Sequence, residues 1–144
     1  MLLDPSARTL DASYFFEHCS QAAPDSRTAR LALEPDGTFA FESRNAGVVV
    51  ARRTGRIAPR AVEQIVGHLA AAGFPSVPDD AQGTGGGVFT VGSGDRRASM
   101  DAAKVWRLPG YASIHRQTLR WMQGLAEPSG IAPEGMEVDE QSVP

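Results

Sequence analysis

A chain of 144 residues that is 42% apolar, 22% charged and 7% aromatic has the make-up of one ordinary globular domain. At that length about two-thirds of the extended surface can be buried, so neither a disulfide nor a metal is needed as a staple. A formal charge of −3 argues against a dedicated nucleic-acid binder, and no stretch reaches the roughly 20 apolar residues of a membrane span.

The first periodic segment is Asp11-Ala12-Ser13-Tyr14-Phe15-Phe16-Glu17-His18-Cys19. Ala12, Phe15, Phe16 and Cys19 recur at i, i+3, i+4 and i+7, and Asp11 suits an N-cap, so the spacing predicts a helix ending before Pro24. The aromatic residues would also suit a strand. Next, Arg30-Leu31-Ala32-Leu33-Glu34 and Thr38-Phe39-Ala40-Phe41-Glu42 alternate around Pro35-Asp36-Gly37, which predicts a β-hairpin. Pro presets the turn, Asp caps it and Gly takes a positive φ. Val48-Val49-Val50-Ala51-Arg52-Arg53 reads as a third strand, its three valines implying cover on both faces.

Pro59 opens a helix in which Val62, Ile65, Val66 and Leu69 form an apolar stripe, with Gly73 placed to end it. Phe74 is placed to fold back on the last turn. Residues 75–86 read as a loop. A second hairpin pairs Val88-Phe89-Thr90-Val91 with Arg97-Ala98-Ser99-Met100 across Gly92-Ser93-Gly94-Asp95. After Pro109-Gly110 a last helix runs to about Leu125, with Ile114, Trp121, Met122 and Leu125 on one face and Thr118 as its polar member. Leu119 sits at the edge of that face, and Arg116, Arg120 and Gln123 point away.

The predicted fold is α+β: an antiparallel sheet of about five strands packed by two or three helices in the order α-β-β-β-α-β-β-α. The body spans residues 1–126. Residues 127–144 hold five acids, no base, three prolines and two glycines, and read as a disordered acidic tail. Without it the body carries 14 basic and 12 acidic groups, a net of +2.

Few residues suggest chemistry. Cys19 is the chain's one cysteine, so it makes neither an internal disulfide nor a cysteine-rich zinc site. His18 and Cys19 are adjacent, which puts them about 100° apart on a helix and on opposite faces of a strand. Neither placement makes a nucleophile-base dyad, and a thiol enzyme would need a distant His68 or His115. Gly83-Thr84-Gly85-Gly86-Gly87 lacks the preceding strand and following Lys-Ser/Thr helix of a phosphate loop. The acids show no calcium-loop spacing, and no cofactor or metal is expected.

Two features point to a partner. Arg52, Arg53, Arg56 and Arg60 are a basic group, though Arg52 and Arg53 should face opposite sides of their strand. Arg60 would lie in a helix's first turn, where the dipole disfavours a cation. Trp106, in Val105-Trp106-Arg107-Leu108, either closes the core or stands exposed as an interface anchor.

The order of elements, with Leu31-Ala32-Leu33-Glu34-Pro35-Asp36-Gly37-Thr38, Gly55-Arg56-Ile57-Ala58-Pro59 and Gly85-Gly86-Gly87-Val88-Phe89-Thr90-Val91, resembles the class I chaperones of bacterial type III secretion over about residues 11–125. That resemblance implies a small cytoplasmic homodimer that holds a partner protein, with Val62, Ile65, Val66 and Leu69 divided between core and dimer contact. Small bacterial immunity and inhibitor domains use a similar order. The expectation is a non-catalytic protein-binding adaptor without nucleic-acid or membrane partners. An immunity protein or inhibitor binding one folded partner is the alternative, and a Cys19 enzyme a third.

Overall fold

The computed structural model describes residues 12–20, 27–81, 87–126 and 136–138. Seven strands form one antiparallel sheet: β1 (Tyr14–Ser20), β2 (Arg27–Leu33), β3 (Thr38–Asn45), β4 (Val48–Ile57), β5 (Gly87–Ser93), β6 (Arg96–Asp101) and β7 (Met136–Val138). Helix α1 (Pro59–Ala72) lies between β4 and β5, and α2 (Tyr111–Ala126) between β6 and β7. The spatial order is β6-β5-β1-β2-β3-β4-β7. The class is therefore α+β, but the order of elements is β-β-β-β-α-β-β-α-β rather than the predicted one.

The predicted first helix is a strand. Tyr14 and Phe16 point into the core and Phe15 to the other face, a period of two. β1 is the central link of the sheet, pairing with β2 (Phe16↔Leu31) and with β5 (Phe16↔Val91). Those long-range ladders override the local helical spacing. The proposed cap, Asp11, lies outside the described residues.

The first hairpin is as predicted. Leu31 lies opposite Phe41 and Leu33 opposite Phe39, all four buried on the helix side. The backbone N–H of Thr38 donates to the Asp36 carboxylate at 2.9 Å, so that side chain does cap the turn. β4 departs from expectation at its start. Val48 and Val50 are 65% and 57% exposed, and only Val49 turns inward. A register shift beside Ser43 and Arg44 marks the same place.

Both amphipathic helices cover one face of the sheet. α1 buries Ala61, Val62, Ile65 and Leu69. It ends where predicted: Gly73 is left-handed, the Gly73 N–H donates to the Ala70 carbonyl and the Phe74 N–H to that of Leu69. α2 buries Tyr111, Ile114, Thr118, Trp121, Met122 and Leu125. Within the 75–86 loop, Asp79–Ala81 forms a short 3-10 turn that buries Ala81, and residues 82–86 lie outside the described residues.

Part of the acidic tail belongs to the sheet. β7 pairs with β4 through Ile57↔Met136, Arg56↔Glu137 and Gly55↔Val138, and Met136 is buried. Expected disorder therefore does not describe Met136–Val138, while 127–135 and 139–144 lie outside the described residues. The docking depends on a missing side chain: a Cβ at Gly55 would meet the Glu137 carbonyl oxygen and the Phe39 ring. Gly55→Ala should thus detach β7 and speed hydrogen exchange at Gly55–Ile57, as should deletion of 127–144. Wild-type exchange in both would show that β7 does not protect that edge.

Candidate functional site

The arginine group divides. Arg52 and Arg56 stand on the sheet face away from the helices, Arg53 turns to the opposite face, and Arg60 lies in the first turn of α1. Much of the charge on the open face is paired within the sheet. Ser99, Thr90, Glu17, Arg30, Glu42 and Arg52 form one cross-strand row in register. Within it Arg52 pairs with Glu42 at 2.9 Å and Arg30 with Glu17 at 3.7 Å, while Arg44 takes the other Glu42 oxygen at 2.7 Å. The hydrogen bonds from Arg44 and Arg52 hold the Glu42 carboxyl below its ordinary pKa. Opposite charges across neighbouring strands stabilise the sheet itself, so this row is structural. Arg30 and Arg97 also stack on Phe15, at 4.0 and 5.4 Å from its ring centre.

His18 and Cys19 occupy opposite faces of β1. The Thr28 hydroxyl donates to the Cys19 sulfur at 3.8 Å, and among the described residues no imidazole hydrogen-bonds to this thiol. His18 faces the helices instead. Its ring lies 4.7 Å from Phe89 and 4.8 Å from His115, and its Nε2 is 3.1 Å from the Thr118 hydroxyl. Because Thr118 donates its one proton to the Ile114 carbonyl at 2.8 Å, Nε2 must carry the proton that His18 donates to Thr118. Burial, aided by the neighbouring His115, lowers the His18 pKa to about 3. Thr118 is thus polar within an apolar stripe because a half-buried histidine needs it.

Trp106 gives the opposite picture. It sits in a 3-10 turn (Val105–Arg107) between β6 and α2 and is 72% exposed, whereas Val105 beside it and Trp121 on α2 are buried. Val105, not the indole, closes the core. Trp106 walls a cavity of about 380 Å³ whose apolar lining includes Val105, Ala112 and Leu119 and whose charged lining is Arg116 and Arg120. Arg120 also lines a neighbouring hollow of about 280 Å³ with Arg60, Gln64 and Gln117. The two glutamines hydrogen-bond at 2.9 Å and join the helices there. Two of the predicted binding residues, Arg60 and Trp106, are therefore linked through Arg120; Arg52, Arg53 and Arg56 are not part of these cavities.

Arg116 and Arg120 were legible only as solvated helix positions. The overlooked signal is that α2, over 16 residues, contains no carboxylate. Two like charges at i and i+4 cost about 0.2–0.5 kcal/mol without a partner. Geometry, not kinship, has to carry the reading of this surface, because no family model and no curated protein matches the chain.

Proposed function

We propose that this chain is a non-catalytic protein-binding adaptor that holds a partner protein at the groove beside Trp106. The observation that carries the reading is the exposure of Trp106, 72%, over an apolar-lined cavity of about 380 Å³. An indole buries about 150–250 Å² when covered, more than most side chains, and tryptophan is enriched among the residues that dominate binding energy. Leaving it in water forgoes that burial in the free protein and makes it available to a complex.

The site is compact, and on the sheet's open face Arg30, Arg44 and Arg52 are already engaged by Glu17 and Glu42. That concentration favours an inhibitor or immunity-type module gripping one folded partner, over a chaperone wrapped by a long cargo segment. The chaperone version expects a homodimer, the inhibitor version a monomer in a one-to-one complex, and light scattering on the free and bound protein separates them.

Trp106→Ala tests the surface itself. The variant should fold with wild-type stability, since the side chain contributes little to the core. It should also lose a partner captured from host extract by at least about tenfold in affinity. Full retention of the partner by the variant would remove the proposal.

A further inference from the structure

Resting on that reading of the groove, we infer that its partner presents an acidic amphipathic segment, with apolar side chains packed on Trp106 and carboxylates reaching Arg60, Arg116 and Arg120. The inference comes from three unpaired arginines that lie together, whereas Arg27, Arg56 and Arg97, which also lack a carboxylate ion pair among the described residues, lie outside these cavities. Arg30, Arg44, Arg52 and Arg107 each pair with a carboxylate. Arg60, Arg116 and Arg120 have no such partner among the described residues, and all three line the two adjoining cavities.

Each of these arginines is poorly placed for the isolated fold. Arg60 adds a cation to the positive end of α1, whose first turn holds no acid and whose N-cap, Ala58, offers no side-chain bond. Arg116 and Arg120 repeat one charge a helical turn apart on a helix without an acidic residue. A carboxylate-bearing partner relieves all three at once. A basic partner would add repulsion to the same surface, so the charge selects against it. The chain's net charge of −3 gives an acidic partner no general attraction, which leaves this local face to orient it.

Trp106 is a built-in reporter, since Trp121 is buried. The full chain is titrated with a tryptophan-free helical peptide of about 18 residues, with Leu at i, i+3, i+4 and i+7 and Glu elsewhere. A counterpart carries Lys in place of every Glu. The Glu peptide should move Trp106 emission to shorter wavelength, saturably. Its affinity should fall about tenfold or more in Arg116→Gln/Arg120→Gln and fall again as salt is raised. The signal should vanish in Trp106→Phe.

Equal binding of the Lys peptide would overturn the acidic partner while leaving a protein-binding groove. A Trp106→Ala variant that loses its captured partner, in a protein whose emission neither peptide moves, would do the same. A variant that keeps its partner removes the underlying reading as well. Two other occupants have their own signatures. Peptide binding only after Glu127, Glu134, Asp139 and Glu140 are replaced by their amides would assign the face to the chain's own tail. A dimer abolished by Arg116→Gln/Arg120→Gln would assign it to a second copy. Either result overturns the inference.

Discussion

Gly110→Ala should destabilise the protein by about 3 kcal/mol or more. Gly110 is buried, has a φ of +84° and precedes α2 directly. Its missing side chain lets the start of α2 approach the backbone of α1. A Cβ there would meet the backbone nitrogen of Ala72, the carbonyl oxygen of His68 at 2.6 Å and the Ala72 Cα at 2.7 Å. All three are backbone atoms of α1, which cannot rotate aside as a side-chain tip would. The left-handed φ alone costs a residue with a Cβ roughly 1–2 kcal/mol, and the overlap adds to it by forcing the helices apart. Gly67→Ala is the control: Gly67 lies inside α1 with nothing within 4 Å of an added Cβ. That change should stabilise by up to about 1 kcal/mol through helix propensity. Urea midpoints at constant slope should therefore move in opposite directions. A Gly110→Ala midpoint equal to wild type would mean that the helices are not joined there.

Local chemistry made much of this fold legible. Pro35-Asp36-Gly37 specifies its hairpin because each turn residue supplies a different backbone need. The stripes of α1 and α2 were readable because their apolar positions repeat with the helical period. β1 was not. Its inward residues are Tyr14, Phe16 and His18, and the histidine breaks the alternation that marks a strand. What satisfies His18 is Thr118, 100 residues away, and no local pattern carries that information. β7 was hidden for a similar reason: Met136-Glu137-Val138 is too short to declare itself, and its place depends on the space left by Gly55. At the candidate site, Val105-Trp106-Arg107-Leu108 fits a buried or an exposed indole equally well, and only packing shows that Val105 does the closing. Arg116 and Arg120 look ordinary on a polar helix face until the surrounding carboxylates are counted in three dimensions.

The same half-buried histidine sets the second large effect, loss of stability in mild acid. In the unfolded chain His18 titrates near 6.5, and in the folded protein burial first, and His115 second, lower its pKa to about 3. Between those values the unfolded state binds a proton that the folded state refuses, so stability rises with pH across the window. The contribution is fully present above about pH 6.5 and is lost progressively toward pH 3. At 1.36 kcal/mol per pH unit, about 3 kcal/mol should be gone by roughly pH 4.5. His115 and His68, both shifted down by burial, push in the same direction. Asp36 and Glu42, whose pKa values are lowered by hydrogen bonds from Thr38 and from Arg44 and Arg52, lose their contribution at lower pH still. His18→Leu separates the histidine from these carboxylates. Thr118 keeps its bond to the Ile114 carbonyl in that variant, so no buried hydroxyl is orphaned. Urea midpoints measured near pH 7.5 and pH 4.5 should fall less in His18→Leu than in wild type, by the share His18 contributes. Equal losses in the two proteins would mean that His18 takes up its proton in the fold as readily as in the unfolded chain. Such a result would also contradict its placement against Phe89, His115 and Thr118.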